Sequence, residues 1–244
     1  MTTRTRLVVG LVLVAAIAGC GSSGGGPQNT SPPATDPTPS PTIQPISEFP
    51  DFGPLEPEDY FVAPGDDPSP RVVFTVPADG WSEWIGATKF AGDGHVAVSI
   101  ATVTNLVRHA CDDHSRPDPP GPTVDDLASA LADLAPFRVT SPPTDITIYG
   151  YRGQHLELTV PDLPVEGRGD DRRFTGCIEG KLKSWIAPPY GAFYGYTGPG
   201  YTEEFWILDV DGSRVVIAAE RSPDSPAKDL AELRAMLDSI RIEL

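Results

Sequence analysis

His109, Cys111 and His114 place three potential metal ligands within six residues, with Asp112 and Asp113 between them. Zinc accepts these side-chain types, but its structural sites use Cys-x2-Cys or His-x3-His spacings that come in pairs. No second cluster answers this one, because His95 and His155 each stand alone in the sequence. The segment reads as a solvated turn ahead of the proline-rich stretch 116–122, and no metal is assigned. Cys111 also has a competing use. It and Cys177 are two of only three cysteines in the 244-residue chain. Two such cysteines most often pair where the compartment is oxidising, and with the export signal described below a Cys111–Cys177 disulfide is expected. It would add about 4 kcal/mol in the chain-entropy account and would remove the thiolate a metal needs.

Other motifs fail on their own chemistry. Ser225-Pro226-Ala227-Lys228 spells Ser-x-x-Lys, but the companion Ser-x-Asn and Lys-Thr-Gly elements are missing from the sequence. A helix cap with Pro at the first turn is the better reading. Asp209-Val210-Asp211-Gly212 begins like a calcium loop and puts Glu220 at position 12, but position 6 holds Arg214 where Gly is required. The chain has no Gly-x-Ser-x-Gly, no His-Glu-x-x-His and no glycine-rich phosphate loop. Acid pairs occur at Asp66-Asp67, Asp112-Asp113, Asp125-Asp126, Asp170-Asp171 and Glu203-Glu204. Adjacent carboxylates on a strand point to opposite faces, so these pairs are weak evidence for acid–base catalysis and read as solvated surface. No catalytic residue and no cofactor follow.

Residues 185–206 (WIAPPYGAFYGYTGPGYTEEFW) hold eight of the 20 aromatic side chains. Trp185, Phe205 and Trp206 belong in or beside strands and are assigned to the core. Tyr190, Phe193, Tyr194, Tyr196 and Tyr201 lie among Gly and Pro, in an expected loop. Two uses compete for these five rings. Exposed on a constrained loop, they would stack on a sugar, a peptide or an apolar ligand. Folded inward, they would cover the end of a sheet, and this second use is favoured.

Strands dominate the elements that must carry these residues. Arg71–Pro77 is a short strand ended by Pro77 and the Asp79-Gly80 turn, with Trp81–Ile85 expected to pair back against it. In His95–Thr104, Val96, Val98 and Ile100 alternate with Ala97, Ser99 and Ala101. Asp145–Tyr149 and His155–Pro161 flank Gly150 and Gly153 as a hairpin, and Gly176–Ile186 is a further strand. Glu204–Val210 and Ser213–Arg221 flank Asp211-Gly212, the strongest short hairpin signal. Thr123 and Asp126 fit a capping box, ahead of Val124, Leu127, Leu131 and Leu134 on one helical face, with Pro136 closing the segment. After Ser225-Pro226, Leu230, Leu233, Leu237 and Ile240 keep helical spacing to the end. The expectation is an α+β fold: an antiparallel sheet of about six to seven strands with two main packed helices.

The chain ahead of this domain is different material. Thirteen of its 28 prolines lie between Pro27 and Pro70. From Gly21 to about Pro54 apolar residues are sparse and aperiodic, the composition of a disordered or polyproline-like tether. Thr and Ser beside its prolines are potential O-glycan acceptors. Before it, Arg4 and Arg6 precede an uncharged apolar run, Leu7–Ile17, too short to span a bilayer but laid out as an export signal. Ile17-Ala18-Gly19-Cys20 resembles the lipobox of bacterial lipoproteins. That resemblance implies a signal peptide at 1–19, a diacylglyceryl group on Cys20 and attachment to the outer face of the cytoplasmic membrane. The organisation is then signal 1–19, lipidated linker 20–54 and one domain 55–244. Without the signal the chain keeps 16 basic and 34 acidic residues, a formal −18 against −16 for the whole sequence. Such acidity argues against nucleic acid as a partner and against a basic patch as the membrane contact, leaving the lipid to do the anchoring.

Phe74-Thr75-Val76-Pro77…Gly80-Trp81, Gly121-Pro122-Thr123-Val124-Asp125-Asp126-Leu127 and Trp206-Ile207-Leu208-Asp209-Val210-Asp211-Gly212…Leu237-Asp238-Ser239-Ile240 carry a second resemblance. Residues 70–244 resemble the PsbP-like fold, and more closely the small exported actinobacterial lipoproteins of the LpqN type. These motifs are structural, so no functional residue is carried over. The resemblance implies a non-enzymatic accessory or binding module of the cell envelope, with an envelope protein, glycan or apolar ligand as partner. The alternatives are an apolar-ligand or lipid carrier using a sheet–helix pocket, and an enzyme with an unrecognised site.

Overall fold

The computed structural model describes residues 43–46, 52–65, 69–112, 114–168, 171–186 and 193–244. Cys20, the signal segment and Tyr190 lie outside them, as do Asp66, Asp67, Asp113 and Asp170. The strands, numbered along the chain, begin with β1 (Gln44–Pro45), β2 (Pro54–Leu55), β3 (Asp59–Val62), β4 (Arg71–Thr75) and β5 (Trp81–Glu83). Next come β6 (Gly86–Ala91), β7 (Gly94–Ala101), β8 (Asn105–Leu106), helix α1 (Val124–Ala132), β9 (Arg138–Ile148) and β10 (Tyr151–Thr159). The chain closes with β11 (Val165–Glu166), β12 (Arg173–Phe174), β13 (Leu182–Ile186), β14 (Phe193–Tyr196), β15 (Thr202–Val210), β16 (Ser213–Arg221), helix α2 (Ala227–Asp238) and β17 (Arg241–Glu243).

Eight strands make the central antiparallel sheet, in the order β2-β5-β6-β7-β16-β15-β10-β9. The fold is therefore mostly β with two helices, a more sheet-rich domain than the balanced α+β layering expected. A side chain's position in the period-2 alternation decides which of two cores it enters. Val96, Val98 and Ile100 of β7, with Trp206 and Leu208 of β15 and Val215 and Ile217 of β16, enter one core. That core is closed by α2 and by a smaller sheet, β1-β3-β4-β17. Ala101 of β7, Phe205 and Ile207 of β15, and Val216 and Ala218 of β16 enter the other. Here α1 and the three-stranded sheet β14-β13-β8 form the cover.

Local signals explain most of the elements. Asp211 (φ 50°) and Gly212 (φ 86°) both adopt the left-handed conformation that a two-residue hairpin turn requires, and β15 and β16 pair from Val210↔Ser213 to Thr202↔Arg221. In α1 the Thr123 hydroxyl accepts from the Asp126 N–H at 3.1 Å and the Asp126 carboxylate from the Thr123 N–H at 3.0 Å, a complete capping box. Leu127 and Leu131 of α1, and Leu134 just beyond it, are buried. Gly153 sits in mid-strand because a Cβ there would lie 2.0 Å from the Ile207 carbonyl oxygen of the neighbouring β15.

Several expectations are corrected. Trp81–Glu83 pairs with β2 and β6, not with β4, because β4 belongs to the smaller sheet on the face where Phe74 and Trp81 are buried. Ser225 does not cap α2. Pro226 takes that position, and the Ser225 hydroxyl donates to the His95 carbonyl at 2.7 Å, tying the helix entry to β7. The helix stops at Asp238, and Arg241–Glu243 pairs with Arg71–Val73 of β4. The strand in Gly176–Ile186 shrinks to Leu182–Ile186 after a 3-10 turn at Ile178–Gly180. Gln44–Pro45, within the stretch read as linker, pairs with Tyr60–Phe61, and Ile46 is buried. Cys111 and Cys177 form a disulfide, which joins the turn after β8 to the segment before β13. Among the described residues no helix is long and apolar enough to cross a membrane.

Candidate functional site

Glu203 of β15 and Glu220 of β16 are register partners in the central sheet. Directly opposed residues on one face stand about 5 Å apart at Cβ. Both side chains point to the α1 side of the sheet, as Phe205 and Ala218 do two residues along. Both are buried, Glu203 at 3 % exposure and Glu220 at 4 %. Burial, then the Glu220 charge, pushes the Glu203 carboxyl up to about 8, against the pull of hydrogen bonds from Tyr196 and Trp185. The direction of the shift favours the acid form of Glu203 over the carboxylate.

The small sheet β14-β13-β8 lays its aromatic residues over this pair. Trp185 of β13 donates its Nε1–H to Glu203 Oε1 at 2.9 Å, and the Tyr196 hydroxyl of β14 donates to Glu203 Oε2. Tyr194 stacks on Trp185 with ring centroids 4.8 Å apart, and Glu220 and Glu203 are the charges that act on its hydroxyl. Tyr196 meets Tyr194 edge-on at 5.7 Å and Tyr201 at 5.9 Å. Burial, followed by the two glutamate charges, raises the hydroxyls of Tyr194 and Tyr196 well above the usual tyrosine range.

His95 of β7 connects the pair to the outside. Its Nδ1 lies 2.7 Å from Glu220 Oε1 and its Nε2 lies 2.8 Å from Thr88 Oγ1. With the carboxylate accepting from Nδ1–H, Nε2 accepts from the threonine hydroxyl, which fixes the tautomer. A hydroxyl–imidazole–carboxylate array has the connectivity of a nucleophile–base–orienter triad. Thr88 is only 2 % exposed, however, so its hydroxyl serves as an anchor for the ring. Phe90 stacks flat on His95, centroids 4.5 Å apart, and 15 % of the His95 side chain reaches solvent.

The aromatic residues singled out in the sequence are thus partly brought together. Phe193–Tyr196 is a strand, not loop, and Tyr194, Tyr196 and Tyr201 pack against the sheet. Trp185, Phe205 and Trp206 are core residues. The structure does not unite His109, Cys111 and His114 as ligands. The Cys111 sulfur is in the disulfide, the His109 ring accepts from the Cys111 N–H, and His114 Nδ1 lies 2.5 Å from Asp112 Oδ1. Glu203 and Glu204 do point to opposite faces, but Glu203 is not solvated surface, while Glu204 bonds His155 at 2.8 Å on the far side. Glu220 and His95 were weighed in the sequence only against metal binding, not as a pair. Their signal was a charged residue at an inward position of an apolar alternation: Val216-x-Ala218-x-Glu220, and Glu203-x-Phe205-x-Ile207 opposite.

A second feature lies on the other face. Leu230, Leu233 and Leu237 of α2, with Arg234, Arg221 and Glu157, line a groove of about 240 Å³ between helix and sheet. Arg221 bonds Glu157 at 2.9 Å, and Arg234 is exposed. Compared with family models, with curated proteins and with solved structures, the chain matches none.

Proposed function

We propose that this chain is a lipid-anchored binding or accessory module of the bacterial cell envelope, held outside the cytoplasmic membrane and without enzymatic activity. The observation that carries this reading is one continuous sequence arrangement. A short basic and apolar segment ends in Ile17-Ala18-Gly19-Cys20, a proline-rich stretch follows, and then comes a β-rich domain closed by the Cys111–Cys177 disulfide. Two or more acyl chains on Cys20 would hold the acidic domain on a membrane that its own charge does not favour. The disulfide suits an oxidising compartment. The likeness to LpqN-type lipoproteins and the PsbP-like fold belongs to the same proposal. Cross-linking in intact envelopes, followed by mass spectrometry, tests it. A specific envelope partner retained across replicates is expected, and recovery of the chain only from the cytosol contradicts it.

A second reading rests on the groove beside α2. Three leucines with the exposed Arg234, beside the Glu157–Arg221 pair, match an amphiphile that has an acyl part and an anionic head. Organic extraction of the purified chain should then release a lipid, and Leu233→Asp should abolish that yield.

A further inference from the structure

We infer that Glu203 and Glu220 form a site for a single proton, and that this proton clamps the β13–β14 hairpin onto the central sheet. Glu220 Oε1 faces His95, whereas Glu220 Oε2 is buried with no hydrogen-bond partner. A buried acceptor without a donor is costly, and it stands beside a carboxyl that has a proton to share. A protonated Glu203 donating to Glu220 Oε2 satisfies the orphan atom with no added group and leaves one negative charge on the pair, the arrangement of two carboxyls that cannot both ionise.

The groups around the pair fit this assignment. From β13 and β14, Trp185, Tyr194 and Tyr196 present donors or neutral hydroxyls. Lys183 of β13 is engaged by Glu179, its Nζ 2.9 Å from Glu179 Oε2. From β7 and β6 come His95, Ser99 and Thr88, and Tyr201 flanks the ring of His95 at 6.3 Å. Among the described residues, Glu220 is the charged group that acts on Glu203. Loss of the proton therefore puts a second carboxylate beside Glu220 under the aromatic rings, a buried repulsion that separation of the hairpin from the sheet relieves by admitting water. Protonated, the hairpin is shut; deprotonated, it loosens.

The test is a pH titration of the full chain labelled with 15N-tryptophan, following the Trp185 indole N–H, which reports directly on Glu203. Trp185→Phe assigns the signal. The expected result is one step with a midpoint near 8, with amide exchange of Tyr194 and Tyr196 rising at least about tenfold above the step beyond its intrinsic pH dependence. Glu203→Gln should remove the step, and Glu220→Gln should move its midpoint down by a pH unit or more. Should Glu203→Gln fail to fold, the Glu203 carboxyl carbon in the unmodified chain gives the same midpoint. An indole signal that stays fixed from pH 5 to 10, or a step that survives Glu203→Gln, overturns the proposal.

Discussion

Glu203 and Glu220 face each other across the β15–β16 pairing, both buried, and only Glu220 has a basic partner, His95. This relationship sets the pH dependence of stability. The ordinary value of a glutamate here is 4.5, and Glu203 in the fold sits at about 8. Below 4.5 both folded and unfolded chains hold the proton, and its contribution is fully present. As pH rises from there to about 8 the unfolded chain releases it first, so stability falls, by at most about 1.4 kcal/mol per unit. Glu157 and Glu232 work in the opposite direction. Burial pushes each up, but Thr140 and Arg221 for the first, and Lys89 and Trp81 for the second, bring each below its ordinary value. Their contribution is present above that value and lost in acid. Urea unfolding at a series of pH values should show stability declining from pH 5 to 8, and Glu203→Gln should flatten that decline.

Lys89 holds α2 to the sheet. Its Nζ lies 2.6 Å from Glu232 and 3.2 Å from Asp229, all three side chains largely buried, and Glu232 also accepts the Trp81 indole N–H at 3.1 Å. Lys89→Met would take the cation from between the buried Asp229 and Glu232 carboxylates, leaving Glu232 with Trp81 and Lys228, and should cost about 3 kcal/mol in chemical denaturation. Replacing all three by apolar residues of similar size should recover most of that loss.

Gly153 tests the close approach of β10 to β15. The Ile207 carbonyl leaves no room for a Cβ, so Gly153→Ala must move one strand against its neighbour. A loss of about 1–3 kcal/mol is expected by thermal unfolding. Gly150→Ala, where a Cβ would meet nothing within 4 Å, should lose less and only through its left-handed backbone.

The Cys111–Cys177 disulfide spans 66 residues. The double variant Cys111→Ser/Cys177→Ser should unfold earlier by at most about 4 kcal/mol, with most of the effect on the unfolded chain. An equal melting temperature with and without reductant would show that the bond contributes nothing.

Much of this molecule was legible in its sequence for local reasons. Asp211-Gly212, Thr123 with Asp126, and the β7 alternation each act through near neighbours, and each folds as its pattern directs. What escaped was long-range. Nothing beside Trp81 says that its strand joins a different sheet from β4, because that choice depends on β2 and β6. Ile240 keeps the helical spacing although the helix ends at Asp238, and Arg241–Glu243 becomes a strand because β4 supplies an edge to pair with. The acid pair was hidden similarly. Glu203 was read with Glu204, its neighbour in sequence, while its partner in space is 17 positions away at Glu220. A glutamate on the inward side of an apolar strand is visible in one dimension, but the second glutamate and the histidine that make it a site appear only once three strands are in register.

The mass of the protein taken from the membrane tests the proposed lipid anchor most directly. Intact-mass analysis of the chain extracted from bacterial membranes should give a species beginning at Cys20 and carrying a diacylglyceryl addition, which Cys20→Ser abolishes. A species that retains residues 1–19, or that begins elsewhere with no acyl addition, would contradict it.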